Sequence, residues 1–156
     1  MLTAGFGGEP LFGGAAVRLA AVQRPLFVGG GLAVSGASAD VGRGSLSLVR
    51  VMVGPRIGAG LYRRGVWIDA DLSPQLSFVV VDAGARGRHT LVTGAAALGL
   101  HLDVNLKAGW GIGFGVELAV AFTRLTVVAP EMTDPAVALG LGTIGFTLGL
   151  SRVPTR

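Results

Sequence analysis

Residues 110–122 read WGIGFGVELAVAF, and every second position in this stretch carries a large apolar side chain. Glycine, alanine and one glutamate, Glu117, occupy the positions between them. A period of two residues puts alternate side chains on opposite faces of a β-strand, whereas a helix repeats every 3.6 residues. The stretch therefore predicts a strand with one apolar face, made of Trp110, Ile112, Phe114, Val116, Leu118, Val120 and Phe122.

The same alternation recurs along the chain. It is clear at 97–106, 66–80 and 49–62 and weaker at 11–22, 26–37 and 136–151. A short first strand, truncated in this chain, is expected at 2–6, which brings the count to about eight strands in a single domain covering 1–156. The last segment changes phase near Gly142, and this predicts a β-bulge there.

The composition points to a membrane. Apolar residues make up 51% of the chain, charged residues only 14%, and the mean hydropathy is +0.65. A spanning helix needs about 18 or more uncharged apolar residues, and the longest uncharged run, 135–151, is shorter and interrupted by glycines. A closed barrel is the other structure that satisfies its backbone inside a bilayer. We therefore predict an all-β fold, a transmembrane antiparallel up-and-down β-barrel.

The connections between the predicted strands alternate in length. Tight turns are expected at 23–25, 63–65 and 107–109, and longer loops at 38–44, 83–89 and 129–135. Outer-membrane barrels have short periplasmic turns and longer extracellular loops. The tight turns and both chain ends are therefore expected on the periplasmic side.

The opposite face of the predicted strands is polar or small. A solvated face would carry many lysines, but the chain has one. We interpret this face as the lining of the barrel, where acids and bases neutralise each other and leave no open pore. The predicted lumen cluster comprises Arg18, Arg50, Arg56, Asp69, Asp71, Gln75, His101, Asp103, Asn105 and Glu117.

Register predictions follow from the turns. A turn made of residues 63–64 would place Arg56 opposite Asp71, with Gly58 facing Asp69 and Gly60 facing Trp67. Pairing Leu106 with Trp110 would place three large inward groups opposite glycine: His101 opposite Gly115, Asp103 opposite Gly113, and Glu117 opposite Gly99.

The end of the chain resembles a known assembly signal. Thr143, Gly145, Leu148 and Leu150 have the spacing of the C-terminal motif that the barrel-assembly machinery reads in outer-membrane proteins. With its strand pattern, the chain resembles the small OmpA-like and OmpX-like eight-stranded barrels of bacteria over essentially its whole length. The resemblance implies an outer-membrane location and the assembly machinery as a partner. Many such proteins end on an aromatic residue, whereas residues 151–156 follow Leu150 here.

Several functions remain open at this point. The leading hypothesis is a structural or surface protein, or a membrane anchor, without catalysis. The alternatives are a porin-like barrel that passes small solutes, a lipid-modifying enzyme, and a soluble lipocalin-like barrel. His101 beside Asp103 and Glu117 could serve as a general base or a metal ligand. We interpret it as a lumen histidine and expect no metal or cofactor, because cysteine and a nucleophilic serine motif are absent from the sequence.

Partners are predicted from charge. Loop residues Arg43, Arg86 and Arg88 could bind lipopolysaccharide phosphates through charge-assisted hydrogen bonds, the alternative being ordinary solvated charge. Trp110 beside a turn suits a membrane interface. The sequence has no stripe of basic residues with aromatic residues between them, so it does not suggest nucleic-acid binding. The first residues do not have the pattern of a secretory signal, so we expect a mature or trimmed form, or a fragment.

Overall fold

The computed structural model describes residues 2–5, 11–41, 44–82, 88–107, 110–123, 125–127, 137–139 and 142–152. Its strands are β1 (Leu2–Gly5), β2 (Phe12–Gln23), β3 (Leu26–Val41), β4 (Gly44–Arg63), β5 (Val66–Asp82), β6 (Arg88–Lys107), β7 (Trp110–Ala121), β8 (Leu125–Val127), β9 (Val137–Leu139) and β10 (Gly142–Arg152). The described residues include no helix with the length and apolar character needed to cross a membrane.

The long strands form one antiparallel sheet. Strands β2 to β7 pair in chain order, and β10 pairs with β7, so the sheet has up-and-down topology and curls on itself. The short strands β8 and β9 pair separately with each other. The predicted all-β, antiparallel, up-and-down architecture is confirmed.

Strand β1 lies between the two edge strands of the curled sheet. It pairs with β10 over all four of its residues, but with β2 only at Leu2 and Thr3. Beyond Gly14, no described strand lies beside β2 on that side. The predicted first strand therefore pairs with both edge strands at one end of the sheet.

Alternation along the strands separates the two faces. In β5, Trp67, Asp69 and Asp71 point to the concave side and are buried, whereas Ile68 and Leu72 point outward and are exposed. The pleat holds this phase through the strand because side chains alternate at every residue. The centre of the interior is therefore polar, and the outer surface is apolar. Nearer the β3–β4 and β5–β6 connections the interior is apolar, because the inward residues there are Leu46, Leu48, Val79 and Val81.

Two predicted loops are shorter than expected. Strand β3 continues to Val41 and β4 begins at Gly44, so the predicted loop at 38–44 is wrong and only residues 42–43 separate the strands. The predicted loop at 83–89 is also too long, because β6 begins at Arg88, where it pairs with Asp82, and not at residue 97. Backbone pairing with a long neighbour extends these strands past the point where their side-chain alternation weakens. The predicted loop at 129–135 lies outside the described residues.

The β4–β5 turn corrects one register prediction. Arg64 and Gly65 both have positive φ, 51° and 84°, and Arg63 pairs with Val66. Positive φ at both central residues is the geometry of a type I′ hairpin turn, and glycine adopts it without steric cost. The predicted turn at 63–64 is therefore wrong.

This turn shifts the facing pairs along β4 and β5. Asp71 lies opposite Gly58, not Arg56; Asp69 lies opposite Gly60, and Trp67 opposite Tyr62.

The β6–β7 register is confirmed at its three inward positions. His101 pairs with Gly115, Asp103 with Gly113, and Gly99 with Glu117. Nearer the turn, Trp110 pairs with Lys107 and not with Leu106, because the register shifts between Asn105 and Lys107.

The phase change predicted near Gly142 falls between two strands. Strand β9 ends at Leu139 and β10 begins at Gly142, and residues 140–141 between them lie outside the described part of the chain. From Gly142 to Arg152, β10 stays in register with β7.

Candidate functional site in the interior of the sheet

A buried ion pair lies at the centre of the interior. Arg56 on β4 and Asp71 on β5 are only 7% and 2% exposed. The Arg56 Nε donates to Asp71 Oδ1 at 3.1 Å, and Arg56 Nη2 donates to Asp71 Oδ2. This two-point contact matches the planar guanidinium to both carboxylate oxygens and so fixes both side chains.

His101 on β6 adds a third member. Its Nε2 lies 3.0 Å from Asp71 Oδ2. Gly99, directly opposite Asp71, leaves room for this contact: a Cβ at that position would lie 2.6 Å from Asp71 Oδ2 and 2.7 Å from His101 Nε2. A residue without a side chain therefore allows the acid and the imidazole to meet.

Arg18 extends the cluster to the edge strands. Its Nη1 lies 3.3 Å from His101 Nδ1 and 3.4 Å from Thr147 Oγ1 on β10. Arginine only donates hydrogen bonds, so a hydrogen bond between these two side chains requires the Nδ1 of His101 to accept. A continuous polar chain thus crosses the interior from β10 to β4.

Asp69 lies beside this series of polar contacts. Its Oδ2 accepts a hydrogen bond of 2.6 Å from the indole Nε1 of Trp67. Asp69, Asp71 and His101 each have one potential metal-ligand atom within 4.8 Å of those of the other two residues. A metal ion could be bound at this spacing. The guanidinium of Arg56 already engages both oxygens of Asp71, so a cation there would compete with a fixed positive charge.

Other predicted lumen residues form separate contacts. The Arg50 Nε donates to Ser77 Oγ at 3.2 Å, and its guanidinium lies 5.8 Å from the ring centroid of Phe12. The Gln75 Nε2 donates to Glu117 Oε1 at 3.3 Å. The Gln75–Glu117 contact borders the cluster of Arg18, Arg56, Asp69, Asp71 and His101, because Gln75 and Glu117 line a small pocket together with Arg18 and Arg56.

Asp103 and Asn105 lie farther along β6, toward the tight turns, and are half-buried. The predicted combination of His101 with Asp103 and Glu117 is not formed by hydrogen bonds, because the contacts of His101 go to Arg18 and Asp71. No serine or threonine hydroxyl is hydrogen-bonded to His101 among the described residues. Among the described residues, the histidine therefore has a neighbouring acid but no hydroxyl group as a hydrogen-bond partner.

The predicted lumen cluster left out two residues that contact Asp69 and Arg18. Trp67 shares the two-residue spacing of Asp69 and Asp71, so its inward position was readable, but its indole hydrogen bond was not. Thr147 follows Thr143 and Gly145 at the same spacing. Its contact with Arg18 depends on the curl that brings β10 near β2, which a strand pattern does not reveal.

A cavity of about 530 Å³ adjoins the cluster. Arg18, Trp67, His101 and Asp103 line its inner wall. Residues of β2 and β10 line its other side, and these include outward-facing leucines. The cavity therefore reaches the edge of the sheet.

The predicted lipid-facing residues lie on the outer surface. Trp110, Phe114, Val116, Leu118, Val120 and Phe122 are exposed, and Ile112 is half-buried. In the predicted assembly motif, Thr143 and Gly145 point inward and are buried, whereas Leu148 and Leu150 point outward and are exposed. The motif thus has one apolar face within β10.

The loop arginines are only partly placed. Arg88 is exposed at the start of β6. Arg43 and Arg86 lie outside the described residues.

No protein-family model, curated protein or solved structure matches this chain. The positions of its own side chains are what bear on function.

Proposed function

We propose that this chain is an integral β-barrel of a bacterial outer membrane that acts as a structural surface protein or membrane anchor, with a plugged, charged interior and no catalysis. The observation that carries the proposal is the inverted distribution of polarity. Leu19, Phe122 and Leu150 are 73%, 69% and 79% exposed. Arg56 and Asp71, in contrast, are almost wholly buried.

This distribution is costly in water and favourable in lipid. Soluble monomers rarely expose apolar patches larger than about 300–600 Å². Here the apolar side chains occupy consecutive outward positions on β2 to β7 and on β10, so they form one belt around the sheet. Alternation of apolar outward and polar inward residues is the pattern of outer-membrane barrels.

The same distribution argues against a soluble lipocalin-like barrel. Such a barrel binds its ligand among inward apolar side chains and exposes its polar face. The central inward positions here hold Arg56, Asp69, Asp71 and His101. A soluble barrel would need the opposite orientation of the two faces, with these charged residues outside in water and the leucines inside.

The plugged interior argues against a transport barrel. The chain of contacts from Thr147 through Arg18, His101 and Asp71 to Arg56 crosses from one side of the sheet to the other. A conducting lumen needs a continuous water-filled path, and these side chains occupy it. We assign the cluster the role of holding the strands together and of blocking the path along the interior.

The partners follow from the same proposal. The outward Leu148 and Leu150 beside the inward Thr143 and Gly145 would present the β10 signal to the barrel-assembly machinery. Arg88, with Arg43 and Arg86, would meet lipopolysaccharide phosphates at the end opposite the tight turns. Membrane lipid would cover the apolar belt.

Refolding tests the proposal. The chain is unfolded in urea and diluted into nonionic micelles, into phosphatidylcholine vesicles, or into buffer alone. We expect a β-type circular dichroism spectrum only with detergent or lipid, and an unheated gel band that migrates differently from the heated one. A folded, monomeric protein in buffer alone would overturn the proposal, because it would mean that the apolar belt tolerates water.

A further inference from the structure

Three potential metal ligands meet where two central strands of the sheet run side by side. Asp69 and Asp71 are successive inward residues of β5, and His101 is the residue of β6 that pairs with Asp69. One ligand atom from each residue lies within 4.8 Å of those of the other two. The three residues are buried, at 8%, 2% and 6% exposure respectively. Their meeting depends only on the register of two neighbouring strands.

The imidazole of His101 brings a buried nitrogen that lacks a hydrogen bond. Its Nε2 has no hydrogen-bond partner among the described residues, although it lies 3.0 Å from Asp71 Oδ2. Buried polar atoms in native proteins nearly always have a partner, so this nitrogen points to a further group at the site. Two ligand atoms of a tetrahedral zinc ion, each about 2.1 Å from the metal, lie roughly 3.4 Å apart. The observed spacing of nitrogen and oxygen is close to this value.

The charges of the interior favour a cation. The inward charged side chains that are at least half-buried in the described residues are three arginines and four acids: Arg18, Arg50, Arg56, Asp69, Asp71, Asp103 and Glu117. Arg50 lies six residues before Arg56 on β4, which leaves two arginines among the four acids. Uncompensated charge withdrawn from water is unfavourable. A bound cation would neutralise the excess of acid.

Neighbouring side chains hold the two carboxylates in place. The Trp67 Nε1 donates to Asp69 Oδ2 at 2.6 Å, which leaves Asp69 Oδ1 for an ion. The Arg56 Nε donates to Asp71 Oδ1 at 3.1 Å, and Arg56 Nη2 donates to Asp71 Oδ2. Metal ligands in proteins are oriented by outer hydrogen bonds of this kind. An ion at Asp71 Oδ2 would displace the Nη2 contact and keep the Nε contact.

Binding also requires a rearrangement at His101. Ligation through Nε2 leaves the hydrogen of the neutral imidazole on Nδ1, so Nδ1 no longer accepts from Arg18. Arg18 has other partners within reach. Its Nη1 lies 3.4 Å from Thr147 Oγ1, and Glu117 lines a small pocket together with Arg18.

The adjoining cavity provides space for a water ligand. Asp69 and His101 line this cavity of about 530 Å³. Arg24, in the connection between β2 and β3, lines it as well, so the cavity extends towards the tight turns. Three protein ligands with a water molecule in the fourth position form an open zinc site.

We propose that Asp69, Asp71 and His101 bind a divalent transition-metal ion, which neutralises the excess of acid and links β5 to β6. One nitrogen and two carboxylate ligands suit Zn²⁺ and its neighbours in the first transition row. Ca²⁺ and Mg²⁺ prefer about six or more oxygen ligands. The site goes beyond the proposed membrane function, because its ligands lie on the inner face whatever covers the outer one.

Trp67 reports binding, because its indole donates to one of the ligands. In a Trp110→Phe background it is the remaining tryptophan, since the chain has two. The protein is refolded in nonionic micelles, freed of metal with EDTA, dialysed and titrated with Co²⁺. We expect saturable quenching of Trp67 by one ion per chain and the visible absorption of four-coordinate cobalt. Zn²⁺ should reverse both signals, and Mg²⁺ should not.

Matched variants identify the ligands. Asp69→Asn and His101→Gln are each expected to weaken Co²⁺ binding at least about tenfold, because losing even an outer partner of a ligand costs about 10–100-fold. Asp103→Asn removes the same charge from the cavity wall but no ligand. His89→Gln removes the other histidine, which is exposed on β6. Both controls should bind Co²⁺ nearly as well as the parent protein. Equal weakening by Asp103→Asn and Asp69→Asn would overturn the site, since general attraction of cations would explain it.

Urea unfolding of the parent protein tests the site without any variant. An ion that binds only the folded state stabilises that state, so Zn²⁺ should raise the urea midpoint and Mg²⁺ should not. The heat-modifiable gel band is recorded on every sample. A protein that has the band but shows neither quenching nor stabilisation at millimolar ion would overturn the metal site and leave the membrane function standing. A protein that folds in buffer alone would contradict the membrane function, and the same titrations in buffer would then decide the metal site.

Discussion

Arg56 and Asp71 form a two-point ion pair although they do not face each other in the sheet. Gly58 lies directly opposite Asp71, and Arg56 is the inward residue of β4 that precedes Gly58. A long side chain can reach its diagonal neighbour on the same face of a sheet. The guanidinium passes the glycine and meets both carboxylate oxygens at a site where neither group has much contact with water.

Breaking this pair on one side should destabilise the protein strongly. Arg56→Met leaves a buried carboxylate without its partner, and a loss of about 3–5 kcal/mol in the free energy of unfolding is expected. The double variant Arg56→Met, Asp71→Leu removes both charges and is expected to recover most of that loss. Urea unfolding in micelles, followed by tryptophan fluorescence, measures all variants.

Arg88→Met is the control for this series, since it removes an exposed arginine at the start of β6. It should change the stability by less than about 0.5 kcal/mol. A double variant as unstable as the sum of its single variants would show that Arg56 and Asp71 are not coupled.

Gly99→Ala should disturb the contact between Asp71 and His101. The added methyl group would lie 2.6 Å from Asp71 Oδ2 and 2.7 Å from His101 Nε2, and Arg56 holds the acid in place. We expect a loss of about 1–3 kcal/mol, the usual cost of overpacking. Gly149→Ala, another inward glycine but with no atom within 4 Å of an added Cβ, should be nearly neutral. Equal losses would mean that crowding at Gly99 is not the cause.

Much of the fold was readable because a strand repeats every two residues. The positions of Trp110 to Phe122 and of Asp69 and Asp71 followed from this period alone. The β6–β7 register at His101 was also predicted, although the pairing next to the turn was not, because the register shift between Asn105 and Lys107 compensates for it. The β4–β5 register failed because positive φ at Arg64 and Gly65 moves the turn by one residue, and such a shift changes every facing pair.

The interior cluster was predicted as a set of residues but not as a set of contacts. The period shows that Arg18, Arg56 and His101 point inward, yet which of them meet depends on the curl of the sheet and on the glycines between them. Arg18 reaches His101 from β2 only because the edge strands approach across the interior. The short β1–β2 pairing of the described residues was also not readable, since a strand pattern does not report where pairing stops.

The turn itself gives a third prediction. Gly65 has a φ of 84°, and no atom lies within 4 Å of an added Cβ, so Gly65→Ala introduces backbone strain without a clash. A loss of about 1–2 kcal/mol is expected from the left-handed conformation. Gly13→Ala has equal space and no positive φ and should be neutral. If both variants unfold at the same urea concentration, a side chain at position 65 does not strain the turn and the prediction is wrong.

The plugged interior gives a fourth prediction. In planar bilayers, the parent protein should show no stable conductance steps. The triple variant Arg56→Ala, Asp71→Ala, His101→Ala removes the crossing side chains and should conduct. The triple variant of surface leucines Leu61→Ala, Leu72→Ala, Leu98→Ala controls for a general loss of packing. Steps from the parent protein would favour a solute-transport barrel.

The membrane itself is tested by two leucines on one strand. Leu100 and Leu106 lie on the outer face of β6 and are 58% and 59% exposed, so in water Leu100→Arg and Leu106→Arg should both be nearly neutral. In a bilayer the two differ by depth, because Leu100 lies within the apolar belt and Leu106 lies beside a tight turn. Arginine costs about 2–4 kcal/mol at the midplane of a transmembrane barrel and about 0–1 kcal/mol near the interface. We therefore expect Leu100→Arg to lower the free energy of unfolding in phosphatidylcholine vesicles much more than Leu106→Arg. Equal effects would mean that the belt does not face lipid.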